Sequence, residues 1–291
     1  MSTRLTFVHA LSPLHAGVGQ GIGVIDLPIA REKATGLPFL PGSSLKGTLR
    51  GLCPEGDRSK IFGLETSEVD PNSNYASSVQ FSDQRILLLP IRSLAGTFAW
   101  VTSPYILRRL LRDAQDAQVK LPTEIIPDIQ DTNQCIIAGS TSKIRINGNK
   151  VYLEDLDLQA SENSDAATNI AKWATWIGQQ IFPDDTAWQQ TLTDRICVVH
   201  DDILSFLLDT ATEITARIKL QENSKTVQSG GLWYEEALPT ESVMWGLLMT
   251  STIRATDEEI FSTVRDLTSK SIQLGGKATV GRGICRVYLG K

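Results

Sequence analysis

LPGSSLKGTLRG, residues 40–51, reads as a helix start that carries two positive charges where a helix disfavours them. Pro41 and Gly42 stop whatever precedes them. Ser43 or Ser44 can then cap the first backbone N–H groups, and Leu45, Leu49 and Leu52 recur at the spacing of one buried helical face. A helix is expected over residues 43–52. Lys46 and Arg50 share another face, close to the positive end of the helix dipole, where two cations cost roughly 0.3 kcal/mol or more unless an anion sits beside them. The stretch is therefore both a fold element and a candidate anion site.

Working outward, residues 4–11 (RLTFVHAL) alternate Leu5, Phe7, His9 and Leu11 on one face, which predicts a half-buried strand. Between that strand and the helix runs SPLHAGVGQGIGVIDLPIARE (12–32), with glycines at 17, 19, 21 and 23 and a short extended piece ending at Pro28. Downstream, residues 79–93 read as one or two strands, and 103–117 as a helix capped by Ser103 with Pro104 at its first position. Residues 118–166 are turn-rich and acidic, with strand-like stretches at 134–138 and 143–153, and 168–182 form an amphipathic helix. Residues 215–239 predict two strands joined by a polar connector, Glu222 to Gly231. A buried strand at 242–253 and a helix at 256–272, with Thr256 and Glu259 as a capping box, lead to a glycine loop and a last strand. This order, β-α-β-β-α-β with insertions, predicts an α+β fold.

Composition sets the outer limits. With 291 residues, 41% hydrophobic and 21% charged, the chain is long enough for one large domain with a substantial core. No signal peptide is read at the N-terminus, and the longest run free of both charged residues and histidine, 93–107, is too short to span a bilayer, so a cytoplasmic protein with no membrane partner is expected. Four cysteines and three histidines show no zinc-binding spacing, and buried free thiols are expected. The net charge of −5 is unevenly spread. Residues 113–213 hold 17 acidic and 6 basic side chains, whereas 265–291 hold 6 basic and 1 acidic, and 31–60 hold 6 basic and 3 acidic. If the two basic segments meet in space they make a positive surface; otherwise they are ordinary surface scatter.

The terminal loop, Gly275, Gly276, Lys277, Ala278, Thr279, Val280, Gly281, Arg282 and Gly283, is neither a Walker A loop nor a dinucleotide fingerprint, since a strand follows it and not a helix. Its glycines and its two cations suit either an anion held by backbone N–H groups or a tight structural turn.

Five segments taken in order resemble the RAMP superfamily of CRISPR proteins: SPLHAGVGQGIGVIDLPIARE, TGLPFLPGSSLKGTLR, LPIRSLAGTFAWVTSP, GLWYEEALP and LGGKATVGRG. Within that superfamily their wording is similar to the backbone subunit of type III-B (Cmr) effector complexes, from about residue 7 to 289. The resemblance implies a single domain over 1–291. It would comprise an RRM-like or ferredoxin-like palm, an inserted helical or finger region at about 113–200 and a β-hairpin thumb at about 215–239. It implies guide (CRISPR) RNA, target RNA and other Cmr subunits as partners, and self-association into a filament. It also implies endonucleolytic cutting of the paired target with a divalent cation, Mg²⁺, leaving a cyclic phosphate and a 5′-hydroxyl. Two alternatives are a guide-binding scaffold without cleavage and a guide-processing RAMP endonuclease.

Carried over residue by residue, Asp26 falls at the family's catalytic aspartate, able to hold a hydrated Mg²⁺ or to take a proton directly. On its residues alone it is equally a carboxylate ending a turn before Pro28. Lys46 matches a guide-binding lysine, so the resemblance supplies a guide-RNA phosphate as the awaited anion, with Arg50 beside it. The alternative is a solvated Lys/Arg pair. Gly275, Gly276, Lys277, Gly281, Arg282 and Gly283 join them as RNA-binding candidates. His15 is an acid–base candidate or a structural hydrogen bonder. Glu235 and Glu236 either approach the target from the thumb or form a solvated pair at a strand end. His9 is read as a strand residue and Trp233 as packing.

Overall fold

A computed structural model describes residues 1–21, 23–64 and 76–290. In chain order the first elements are β1 (Thr3–Ala10), β2 (Phe39–Leu40), α1 (Gly42–Leu52), α2 (Glu55–Phe62), β3 (Val79–Phe81) and β4 (Gln84–Arg92). An insertion follows: β5 (Phe98–Thr102), α3 (Pro104–Asp116), β6 (Gln134–Ile137), β7 (Lys150–Leu153), β8 (Leu156–Ala160), α4 (Ser164–Ile181), α5 (Thr186–Arg195), β9 (Ile196–Val199) and α6 (Asp201–Thr210). The chain continues through β10 (Glu213–Leu220), β11 (Val227–Ala237), β12 (Val243–Thr250), α7 (Asp257–Leu267), β13 (Ile272–Gln273) and β14 (Ile284–Leu289).

The strands β14-β1-β12-β4 lie side by side and antiparallel. With α1 and α7 as the two crossovers this is the ferredoxin-like order, in which each βαβ unit is split by a strand of the other. The sheet continues beyond β4 as β5-β9-β6-β8-β7. The inserted region is thus not only helical: its strands extend the same sheet, and α4 packs across it. The hairpin β10–β11 stands apart as a two-stranded sheet.

β1 departs from the half-buried expectation. Phe7 meets Trp176 of α4 edge-on and its cross-strand neighbour Trp245 donates to Asp113 of α3 at 3.1 Å, while on the opposite face Arg4 lies over the Phe261 ring of α7. With helices on both faces of a central strand, Thr6 and Val8 are buried as fully as Leu5 and Phe7, and Leu11 falls outside the strand and is exposed. His9 is a buried strand residue, 2.7 Å from Glu241. The core carries Trp100, Trp173 and Trp245 fully buried, each with its indole N–H satisfied. Two such bonds, Trp173 to the Glu124 carbonyl and Trp176 to the Lys120 carbonyl, tie down the polar segment before β6. Val119, Leu121, Ile126 and Ile129 of the same segment pack on the core beside them.

Several local expectations hold. Ser103 caps α3 with Pro104 in its first turn, and Thr256 and Glu259 form the capping box of α7. All four cysteines are buried and free. Others are corrected. α1 begins one residue early, with Pro41 at its N-cap and no capping by Ser43 or Ser44. The Gly42 amide instead donates to Asp83 Oδ1 at 2.9 Å. A side chain at position 42 would meet the Phe81 carbonyl at 2.3 Å, which is why glycine stands there. Leu45 and Leu49 are buried but Leu52 is exposed at the helix end. Residues 143–149 are turn, leaving only β7 of the longer strand expected there. The hairpin connector is shorter than expected, residues 221–226, because Val227 to Gly231 already pair or lie within β11. Among the described residues no helix is long and apolar enough to cross a membrane.

Candidate active site

The glycine run after β1 carries the chain to the root of the hairpin. There Leu27 runs parallel to Glu235: its N–H donates to the Tyr234 carbonyl at 3.1 Å, and its carbonyl accepts from Glu236 N–H at 3.0 Å. This addition of a third extended segment places Asp26 beside β11. Asp26 is exposed, and its Oδ2 accepts from Tyr234 N–H at 2.7 Å. Its other oxygen has no hydrogen-bond partner among the described residues. Asp26 and Lys277 line a cavity of about 440 Å³ together with Gln20, Gly21, Leu232 and Trp233. A carboxylate with one oxygen fixed and one facing open space can orient a hydroxyl or take its proton.

Glu235 and Glu236 point to opposite faces of β11, as neighbours on a strand must, and neither is solvated: each is 3% exposed. Glu235 Oε1 receives Trp233 Nε1 at 2.9 Å and Lys277 Nζ at 2.8 Å, and its Oε2 lies 3.2 Å from Arg217 Nε and 4.0 Å from Arg282 Nε. Burial alone would raise its pKa, and that is the largest single influence. The hydrogen bonds from Lys277, Trp233 and Arg217 together overcome it and hold Glu235 at about 2. Glu236 accepts from Ile29 N–H at 3.0 Å, from Arg31 Nη2 at 2.7 Å and from Thr212 Oγ1 at 3.0 Å. Both oxygens of both carboxylates are engaged, so these residues fasten the hairpin root to the glycine run and the terminal loop. Trp233 is half-buried and serves the same network through its indole N–H.

His15 is buried, with Nδ1 2.6 Å from the Glu236 carbonyl oxygen. Only an N–H can make that bond, so the ring carries a proton on Nδ1. Its Nε2 lies where a side chain at Gly17 would collide at 2.4 Å, and its carbonyl accepts from Gly276 N–H at 2.9 Å. His15 therefore binds three separate pieces of chain together.

The terminal loop meets this cluster. Gly275, Gly281 and Gly283 all have positive φ, and Lys277 shares it at 66°. Arg282 is 5% exposed, donates to Thr215 Oγ1 at 2.9 Å and pairs with Glu213 at 3.2 Å. Its Nε and Nη1 have no hydrogen-bond partner among the described residues, although Glu235 lies close enough to balance the charge. The structure thus unites Asp26, His15, Glu235, Glu236 and the loop from Gly275 to Gly283. Lys46 and Arg50 belong to α1. Arg50 Nη1 donates to the Gly63 carbonyl at 2.6 Å. Lys46 is half-buried and has no hydrogen bond or ion pair among the described residues; burial first, and then Arg50, lower its pKa. Asp83 supplies one negative charge at the helix start, as its bond to Gly42 shows, yet leaves Lys46 unmatched.

Sequence reasoning missed Arg31, Thr212 and Arg217. Arg217 was within reach: in TARIKL it alternates onto the same face as Thr215, and pairing puts it opposite Trp233. Arg31 and Thr212 lie far from Glu236 in sequence and carry no periodic signal.

An antiparallel split-βαβ palm, a two-stranded hairpin and a glycine-rich terminal loop closing on its root define the class, and a family model described as the RAMP superfamily matches residues 7–286. The chain belongs to the RAMP superfamily. In particular, it is 34% identical over 295 residues to the CRISPR system Cmr endoribonuclease Cmr4 of Pyrococcus furiosus, spanning 99% of this chain and 96% of that one. The crystal structure of oligomeric Cmr4 from Pyrococcus furiosus matches with a TM-score of 0.75 at 28% identity, covering 100% of this chain and 98% of that one. A chain in the type III-B Cmr-beta complex bound to cognate target RNA shares the fold, with a TM-score of 0.71 at 20% identity, covering 99% and 97%.

Proposed function

We propose that this chain is the guide-bound backbone subunit of a type III-B (Cmr) effector complex and that it cuts target RNA paired with the guide. The observation that carries the reading is the near-full-length similarity to a Cmr endoribonuclease. Copies stack along the guide and join other Cmr subunits, so cutting recurs at regular intervals. Asp26 orients the 2′-hydroxyl of the target and takes its proton. The 2′-oxygen bonds to the adjacent phosphorus, the bond to the 5′-oxygen breaks, and that oxygen leaves with a proton from water. The products are a 2′,3′-cyclic phosphate and a 5′-hydroxyl.

Among the described residues no group of three His, Cys, Asp or Glu side chains is placed to hold a metal ion. Asp26 alone does not build a resident cation site, and the engaged oxygens of Glu235 and Glu236 do not complete one. A hydrated Mg²⁺ enters the proposal only as an ion carried between Asp26 and RNA phosphates, and no step depends on it.

The reading is tested by assembling the protein with a guide and an end-labelled complementary RNA. A ladder of regularly spaced fragments is expected, each ending in a cyclic phosphate that resists phosphatase until opened by acid. An intact target bound to the complex would leave a scaffold without cleavage.

Lys46 is assigned to a guide phosphate, because it is a half-buried cation with no hydrogen bond or ion pair among the described residues. Lys46→Ala should weaken guide binding alike for unrelated guide sequences and reduce the slope of log affinity against log salt by about one. Titrations at several salt concentrations measure this. A loss confined to one guide sequence would mean base reading instead.

A further inference from the structure

We propose that Lys277 is a catalytic residue of the cleavage site, its ammonium contacting a non-bridging oxygen of the scissile phosphate in the cavity it shares with Asp26. The proposal rests on the cleavage reading above and removes Lys277 from the guide-binding set. Asp26 and Lys277 are the charged side chains lining that cavity of about 440 Å³. They are oppositely charged yet form no pair with each other. Each is held instead by one of two consecutive residues of β11: Asp26 by the Tyr234 amide at 2.7 Å, Lys277 by the Glu235 carboxylate at 2.8 Å. The strand therefore keeps a carboxylate and an ammonium apart with open space between them, which suits a group carrying both a hydroxyl and a phosphate.

The neighbouring cations do not compete for this role. Arg282 is buried and bonded to Thr215 and Glu213, and neither it nor Arg217 lines the cavity. Lys277 keeps 31% of its side chain exposed, and one of its three N–H donors suffices for Glu235. Its backbone adds a second observation. Lys277 sits at φ 66° and ψ 30°, in the left-handed region, where its loop otherwise uses Gly275, Gly281 and Gly283. A lysine there bears a backbone cost that glycine would not, offset by what its side chain does at Glu235 and in the cavity. As the 2′-oxygen attacks, negative charge grows on the phosphoryl oxygens, and an ammonium fixed beforehand stabilises that charge more than it stabilises the bound substrate.

The test uses the assembled complex carrying Lys277→Gly, which removes the ammonium and relieves the backbone, or Lys277→Gln, which keeps a neutral donor for Glu235. Single-turnover cutting by either variant should fall by about 10²-fold, the effect of losing one donor to a developing oxyanion. Guide and target binding should stay within about twofold of the parent, as for an interaction made only in the transition state. Lys277→Arg should recover at least about tenfold over Lys277→Gly, since charge and reach are restored. A phosphorothioate of one configuration at the scissile linkage should slow the parent, and that penalty should shrink in Lys277→Gly. Cutting within about threefold of the parent in a folded variant would overturn the proposal, since a lost oxyanion donor costs far more. So would a loss of guide binding in step with cutting. The parent and an Asp26→Asn complex run alongside separate the failures. If the parent leaves the target intact the cleavage reading falls. If Asp26→Asn cuts normally the cavity shared with Asp26 is not the cleavage site and the proposal falls with it, and if Asp26→Asn alone is inactive only the role of Lys277 falls.

Discussion

A complex built with Asp26→Asn should retain guide and target at parental affinity and cut the target at least ~10²-fold more slowly, the lower range for lost acid–base assistance. The substitution is nearly isosteric. Its amide oxygen can still accept the Tyr234 N–H that holds Asp26 at 2.7 Å, so the position of the side chain survives. What it loses is the charge on the oxygen facing the cavity. Binding is expected to survive because Asp26 is exposed and no ion pair among the described residues depends on it. The measurement is a time course of end-labelled target under single turnover, with binding followed in the same samples. An Asp26→Asn complex that cuts at more than about a tenth of the parental rate would remove Asp26 from the chemistry, because acid–base help is worth more than that.

The second large effect concerns stability. Glu235→Gln should destabilise the isolated protein by about 3 kcal/mol at neutral pH, the usual scale for removing one partner of a buried ion-pair network. The neutral amide leaves Lys277, Arg217 and the buried Arg282 converging on a group without charge. The same interaction predicts a pH dependence. Glu235 has a folded pKa of about 2 against an ordinary value of 4.5. A depressed carboxylate stabilises the fold fully above its unfolded pKa and loses that contribution as pH falls through the folded one. The window is therefore pH 4.5 down to about 2, and the amount at stake is again about 3 kcal/mol. Thermal melts of parent and Glu235→Gln should differ by roughly 6 °C at pH 7 and converge as pH approaches 2. Equal melting temperatures at neutral pH would show that the network contributes little.

Glu235 and Lys277 together show how a site can be legible in part. GLWYEEALP and LGGKATVGRG stand out as chemistry-bearing stretches, and both reach the site. Their union does not follow from either stretch. Adjacent glutamates on a strand must face opposite ways, but which of them meets Lys277 and which meets Arg31 depends on how the terminal loop and the segment around Leu27 pack on β11. The same limit explains Glu235 and Glu236 being buried where a solvated strand end was one expectation.

What local physics dictates was present in the sequence. Helix starts at Thr256 and Ser103 and the β-α-β-β-α-β order depend on interactions within a few residues, or on periodicity along one element, so they are written in adjacent letters. The resemblance of five ordered segments also singled out Asp26 as a candidate. Tertiary structure decided what long-range contacts decide. Asp83, rather than a serine, serves the start of α1, because β3 and β4 bring it there. β1 is buried on both faces, because an insertion some hundred residues later in the chain supplies α3 and α4 to cover the second one. Asp26, Tyr234, Glu235 and Lys277 form one site only after the glycine run, the hairpin and the last loop come together, which brings Asp26 to a strand 208 residues later in the chain. Charge and hydrogen bonding act through space, and sequence encodes space only where the chain runs straight from one partner to the next.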